Sequence, residues 1–115
     1  MRRGDIYVVD FEPSQGAEAG KERPAVIVSN DWTQRKVEEL NWGVINVVPV
    51  TSNVARTHRF QVHLPAEATG LDRDSRAQAE QIRAVTIGRL LTRVGRVPPP
   101  LMRQLDEALR IQLAL

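Results

Sequence analysis

The chain has 115 residues, 42% of them hydrophobic, which suffices for one domain spanning 1–115 with its own core. It contains no cysteine, excluding disulfides and thiolate metal sites, and no apolar leader or bilayer-length apolar run, so a reducing, cytoplasmic location without membrane contact is expected. The formal net charge is only +2, yet it is uneven: residues 1–50 carry 6 cations and 8 anions, residues 51–115 carry 10 and 6.

Residues 5–11 (DIYVVDF) are rich in β-formers and read as a first strand. Residues 12–22 (EPSQGAEAGKE) are polar, with Pro13, Gly16 and Gly20. That is long for a hairpin connection, a length that often marks a functional loop. Residues 23–29 (RPAVIVS) form a second strand, and Pro24, lacking an N–H, puts its start at a sheet edge or strand beginning. Asn30 or Asp31 is placed to cap a short helix through Leu40. Residues 43–50 (GVINVVPV) read as a strand buried on both faces. Residues 60–64 (FQVHL) alternate, as do residues 75–85, which are either one bent strand or two short ones. Residues 91–97 (LTRVGRV) supply a further strand. Several short strands joined by turns suggest a small barrel. Beyond Pro98-Pro99-Pro100, Leu101, Leu105, Leu109 and Leu113, with Met102 and Ala108, draw an i, i+4 apolar stripe. This predicts an amphipathic helix with proline in its first turn and its stripe in the core or a dimer interface. The fold class expected is mainly β, with a short internal helix and a C-terminal helix.

Familiar catalytic motifs are missing. No glycine-rich phosphate loop, HExxH or CxxC occurs. His58 and His63 are the only histidines. A paired-histidine ribonuclease is conceivable, but a loop residue and a strand residue is the simpler reading. Asp72 and Asp74 flank Arg73 after Gly70, which suits a turn with solvated charges better than a metal site. No metal site or cofactor is therefore expected. Two polar clusters at strand ends remain, Arg23-Pro24 and Thr51-Ser52-Asn53. On a small barrel such ends are able to converge, although periodicity does not establish that they do. Residues 81–105 hold Arg83, Arg89, Arg93, Arg96 and Arg103 without an acid, a pattern that fits a polyanion, an acidic partner segment or a solvated face.

The motifs in order carry a resemblance. Arg3-Gly4-Asp5-Ile6-Tyr7 opens the chain, and Gly16-Ala17-Glu18 precedes Lys21-Glu22-Arg23-Pro24-Ala25-Val26-Ile27-Val28-Ser29-Asn30. Val48-Pro49-Val50-Thr51-Ser52 and Ala79-Glu80-Gln81-Ile82-Arg83 with Arg89-Leu90 follow. Taken together the chain resembles the MazF/PemK toxin endoribonucleases along nearly its whole length. The resemblance implies an SH3-like barrel assembled as a homodimer. It implies sequence-specific, metal-independent cleavage of single-stranded RNA, restrained by a cognate antitoxin with an acidic disordered segment. It places the catalytic arginine on Arg23 and the catalytic threonine on Thr51. It places RNA contacts on Gly16, Lys21, Ser52, Asn53, Glu80 and Gln81, with Glu18 as a further RNA contact. Ala17 stands where members often have serine, which bears on substrate sequence and not on chemistry.

Cleavage without metal uses the ribose 2′-hydroxyl as nucleophile, and the phosphorane gathers charge on its non-bridging oxygens. A guanidinium fork suits that charge. Arginine is a poor base because it stays protonated. Glu18 in the adjoining loop is the alternative base, or else it pairs with a cation or a nucleobase. Two other classes share the expected fold. Gyrase poisons of the CcdB type act through a C-terminal Trp-Gly-Ile, whereas Leu113-Ala114-Leu115 stands here. A non-catalytic SH3-like binding module would need an aromatic groove, and Tyr7, Phe11, Trp32, Trp42 and Phe60 are scattered.

Overall fold

Alternation of apolar and polar residues sets the strands, and the computed structural model describes residues 1–13, 15–55 and 58–115. Strands β1 (Asp5–Asp10) and β2 (Glu22–Ile27) lead into helix α1 (Asp31–Leu40) and strand β3 (Val44–Thr51). Then come β4 (Gln61–Leu64), a one-turn helix α2 (Ala66–Thr69), β5 (Ser75–Gln78), β6 (Arg83–Thr86), β7 (Leu90–Arg96) and helix α3 (Pro99–Leu113). The 75–85 segment is thus two short strands, parted by a 3₁₀ turn at Ala79–Gln81. Helix α2 was not expected; the Asp74 carboxylate accepts the Ala66 N–H at 2.9 Å, so this turn acid holds the start of α2. Asn30 caps α1 as expected, its side chain accepting from the Thr33 N–H at 2.8 Å.

The strands form one antiparallel sheet in the order β4-β5-β3-β2-β1-β7, with β6 also paired to β3. Strand β3 is the hub. One edge meets β2 from Ala25↔Pro49 to Ile27↔Val47. The other meets β6 along residues 44–47 and then β5 at Val50↔Ala77 and Thr51↔Arg76. Its burial on both faces holds for residues 47–50, while Val44 and Asn46 are exposed.

Two apolar clusters lie on opposite faces of the sheet. Beneath α1 are Val9, Phe11, Ala25, Ile27, Val37, Ile45, Val47 and Val85. Beneath α3 are Ile6, Val26, Val48, Val50, Val62, Leu64 and Ala77, closed by Met102, Leu105, Ala108 and Leu109. Of the two settings its spacing allowed, the stripe takes the core as far as Leu109, while Leu113, with Ile111 and Leu115, remains exposed. Trp32 and Trp42 also face solvent. No described helix is long and apolar enough to cross a membrane.

The barrel expectation is corrected in one respect: the sheet does not close, because β4 and β7 end the path and do not pair. Instead the backbone after β4 rests on β7. A Cβ built on Gly95 would lie 2.3 Å from the Thr69 carbonyl oxygen, and no hydrogen bond joins the two segments among the described residues. Glycine at 95 is what permits that approach. Gly95→Ala should therefore cost at least about 1–3 kcal/mol through overpacking against a backbone atom. Urea unfolding measures this, and a midpoint equal to wild type would mean that the contact relaxes freely.

Candidate functional site

The site begins where the β2–β3 ladder stops. Pro24 has no N–H to donate toward β3, and the paired register ends at Ala25↔Pro49. Continued by two residues, the same register puts Arg23 opposite Thr51. Beside this opening lies a cavity of about 560 Å³, large enough for a nucleotide-sized group. Val8, Pro24, Val50 and Val94 give it apolar walls, while Lys21, Arg23, Thr51, Ser52, Asp72 and Arg73 line its polar edge.

Strand alternation then sorts the side chains. Val26, Val50, Val62, Leu64 and Ala77 turn toward the α3 core. By alternation Arg23, Thr51, Arg76 and His63 turn to the other face. The registers Thr51↔Arg76 and His63↔Arg76 line them up across β4, β5, β3 and β2. Arg23 and Thr51 thus share the rim of the cavity and head a polar row on the opposite face.

Each group has a distinct setting. Arg23 is half-buried, and its Nε donates to the Gly20 carbonyl at 3.0 Å. That bond anchors the stem and leaves the terminal nitrogens unpartnered among the described residues. Thr51 Oγ1 accepts the Asn53 N–H at 3.2 Å, so its own O–H is left to donate. Asn53 Oδ1 accepts from Ala55 N–H at 3.2 Å, and both Ser52 and Asn53 are exposed. Lys21 is exposed with φ of 61°, a left-handed conformation rare for lysine. Its backbone is pinned on both sides: its N–H donates to the Glu12 carboxylate, and its carbonyl accepts from Phe11 N–H at 3.0 Å. Tyr7 is no alternative base: burial first, then Asp5 and Glu38, push its hydroxyl pKa up, against a smaller lowering by Arg93.

The remaining expected contacts lie around the loop. Ser14 of that loop lies outside the described residues. Gln81 grips the loop at two points, accepting the Ala19 N–H at 3.0 Å and donating to the Ala17 carbonyl at 2.9 Å. Glu18 is framed between these two bonds and is exposed. Gly16 sits in an exposed turn with φ of 56°. Glu80 accepts from Gln61 Nε2 at 2.5 Å, and its other oxygen is buried without a partner. Gln81 and Glu80 therefore act first within the fold, a use that motif matching did not disclose.

Nor do the arginines of residues 81–105 form one patch. Arg83 lies over the Phe11 ring, 5.4 Å from its centroid. Arg89 donates to the Asp10 carbonyl at 3.0 Å and to that of Glu12, and Arg93 pairs with Asp5 at 3.4 Å. Arg96 and Arg103 share an outward cavity with Arg3 and Asp106. His58 stacks on Phe60, and His63 is exposed on β4. No group of three His, Asp or Glu residues suited to a metal ion occurs among the described residues. Arg76 is the residue that sequence reading missed. Its signal was present: in residues 76–80, Arg76, Gln78 and Glu80 alternate with Ala77 and Ala79, a polar second face.

The family model described as "PemK-like, MazF-like toxin of type II toxin-antitoxin system" matches residues 2–113. Endoribonuclease MazF9 of Mycobacterium tuberculosis is 53% identical over 115 residues, spanning all of this chain and 98% of that protein. Endoribonuclease EndoA of Bacillus subtilis is 33% identical over 119 residues, spanning all of this chain and 96% of that protein. Among solved structures, MazF from Deinococcus radiodurans superposes with a TM-score of 0.82 at 23% identity, covering 100% of this chain and 97% of the other. An endoribonuclease in complex with its cognate antitoxin, from a mycobacterial species, gives 0.75 at 24% identity, covering 100% and 96%. At those identities the two structures speak for the fold alone.

The loop grip is open to test. Gln81→Leu removes both bonds to the loop, each worth about 1 kcal/mol. Amide exchange at Ala19 should accelerate roughly fivefold or more, the equivalent of about 1 kcal/mol. Unchanged exchange at Ala19 would show that the loop holds its shape without Gln81.

Proposed function

The chain belongs to the PemK-like, MazF-like toxins of type II toxin–antitoxin systems and is an endoribonuclease, and we propose that it cuts single-stranded RNA at chosen sequences by attack of the ribose 2′-hydroxyl, with Arg23 and Thr51 at the reacting phosphate. One observation carries this reading. Where Pro24 ends the β2–β3 ladder, a guanidinium anchored by its Nε stands, by register, across from a threonine whose O–H is free to donate.

The chemistry follows from those groups. The 2′-oxygen forms a bond to phosphorus as its proton leaves, and the P–O5′ bond breaks. The products are a 2′,3′-cyclic phosphate, or the 3′-phosphate after hydrolysis, and a 5′-hydroxyl. Arg23 presents its remaining N–H donors to the non-bridging oxygens as charge grows there. Thr51 adds a neutral donor that fixes the phosphate. Neither removes a proton. Glu18, in the loop that Gln81 holds, is our candidate base, with a nucleobase contact as its other role. Because the nucleophile belongs to the substrate, no metal-bound water is needed and no cofactor enters. Lys21 supplies a cation for the backbone phosphates, while Gly16, Ser52, Asn53, Glu80 and Gln81 form the surface against which nucleotides lie.

The chain works as one toxin domain over residues 1–115, in the cytoplasm where such RNA is found. Its partners are two. The exposed Ile111, Leu113 and Leu115 at the end of α3 suit pairing with a second copy. A cognate antitoxin with an acidic disordered segment would occupy the cationic RNA surface and fold on it.

Two measurements bear on this. Arg23→Ala should cut the cleavage rate by at least ~100-fold, the scale for loss of one transition-state donor. A folded Arg23→Ala protein with near-normal activity discards the assignment. Cleavage of a long defined RNA should continue in EDTA and stop when the scissile nucleotide is 2′-deoxy, with 5′-hydroxyl ends mapped at the cuts. Chelator-sensitive cutting, or cutting of the 2′-deoxy substrate, sinks the mechanism.

A further inference from the structure

We propose that Arg76 is a second guanidinium on the scissile phosphate, flanking Thr51 on the side away from Arg23. The inference rests on the reading of Arg23 and Thr51 given above.

Register supplies the position. Thr51 lies directly opposite Arg76 in the β3–β5 ladder, and Arg23 lies opposite Thr51 when the β2–β3 register is continued. Residues directly opposite in antiparallel strands have Cβ atoms roughly 4.5–5.5 Å apart and point to one face. The two arginines therefore stand about 10 Å apart at their backbones, two strand spacings, with Thr51 midway. Both side chains are long enough to meet over that residue.

Electrostatics supplies the reason. Arg76 is only 9% exposed, and its Nε and Nη1 are buried without any partner among the described residues. No carboxylate forms an ion pair with it among those residues, and the row Arg23, Thr51, Arg76 and His63 contains no acid. A guanidinium stays charged at any working pH, so burial cannot be relieved by losing the proton. An unpaired buried charge costs several kcal/mol. A site that keeps one beside a phosphate-positioning threonine is completed by an anion. The phosphorane has two non-bridging oxygens, and a fork from each side gives each oxygen its own donors.

The test compares wild type, Arg76→Gln, Arg76→Lys and Arg23→Gln on an RNA oligonucleotide that spans a mapped cut. Binding is followed on the same oligonucleotide carrying a 2′-deoxy scissile nucleotide. Arg76→Gln should lower kcat by at least ~100-fold, as for other lost transition-state donors. It should also flatten the dependence of log K on log salt by about 0.7, the value for one phosphate contact on a single strand. Its Tm should be equal to or above that of wild type, since an unpaired charge has been removed. Arg76→Lys should keep the salt slope yet lose kcat, because an ammonium has no fork. Wild-type kcat in folded Arg76→Gln overturns the proposal, and so does a lost kcat accompanied by a lower Tm and an unchanged salt slope. Should the Gln variant not fold, wild-type kcat in folded Arg76→Lys overturns it equally. Inactive Arg23→Gln beside fully active Arg76→Gln removes this inference alone. Wild-type kcat in Arg23→Gln removes the reading of the site on which it stands.

Discussion

Pro24 decides where the β2–β3 ladder ends, and the site depends on that ending. Pro24 carries no N–H toward β3, so pairing stops at Ala25↔Pro49 while the strands themselves run on, and the nitrogen of Pro49 faces the other edge of β3. Arg23 and Thr51 occupy the continuation that β2 and β3 leave unpaired with each other. Each is tied into the sheet by its other edge, Arg23 opposite Val9 and Thr51 opposite Arg76. Strand β3 then carries this geometry across the molecule, because the same strand that ends opposite Arg23 also pairs with β5 through Thr51 and Arg76. Positioning side chains on rigid strand ends, with a mobile-looking composition confined to one loop, is the arrangement that a reaction governed by phosphate geometry requires.

The loop is held by side chains that sequence motifs alone would assign to the substrate. Gln81 grips Ala17 and Ala19, Arg23 grips Gly20, and Arg89 grips the carbonyls of Asp10 and Glu12. Arg23, the arginine proposed for the reacting phosphate, is thus also a structural tie, since its Nε holds the loop at Gly20. This also explains why an acid-free run of arginines does not make a basic patch. Several of those guanidiniums satisfy backbone carbonyls, an aromatic face or Asp5, and a charge committed inside the fold attracts little from outside.

Most of the strands were legible because period-2 alternation and flanking turn residues are local signals. The α3 stripe at Leu101, Leu105 and Leu109 and the Asn30 cap were legible for the same reason. Helix α2 was not, since four residues hold no full period and its start is fixed by Asp74 from eight residues away. The open edge between β4 and β7 was also hidden, because closure depends on distant strands. At the site, Pro24 announced a ladder end, and the two polar strand termini were visible. Their convergence lay in the register between β2 and β3, which no single segment encodes. Arg76 escaped notice because a lone arginine on an alternating strand reads as solvent-facing. It becomes conspicuous only once β3 and β5 are paired and its nitrogens are seen to be buried.

The contact of Gly95 with Thr69 has a mechanical meaning. A barrel laced all round by ladder bonds opens only by breaking a row of them. Here the ring is completed by van der Waals contact between two backbones, so this seam parts without loss of a single hydrogen bond among the described residues. Strands β4 and β5, which continue the sheet from β3, are among those residues held toward β7 by packing alone, with α3 laid against Val62, Leu64 and Ala77. Gly70, Leu71 and Val94 at this seam also line the cavity whose rim Arg23 and Thr51 share, so one wall of that cavity is held by close packing and not by a ladder.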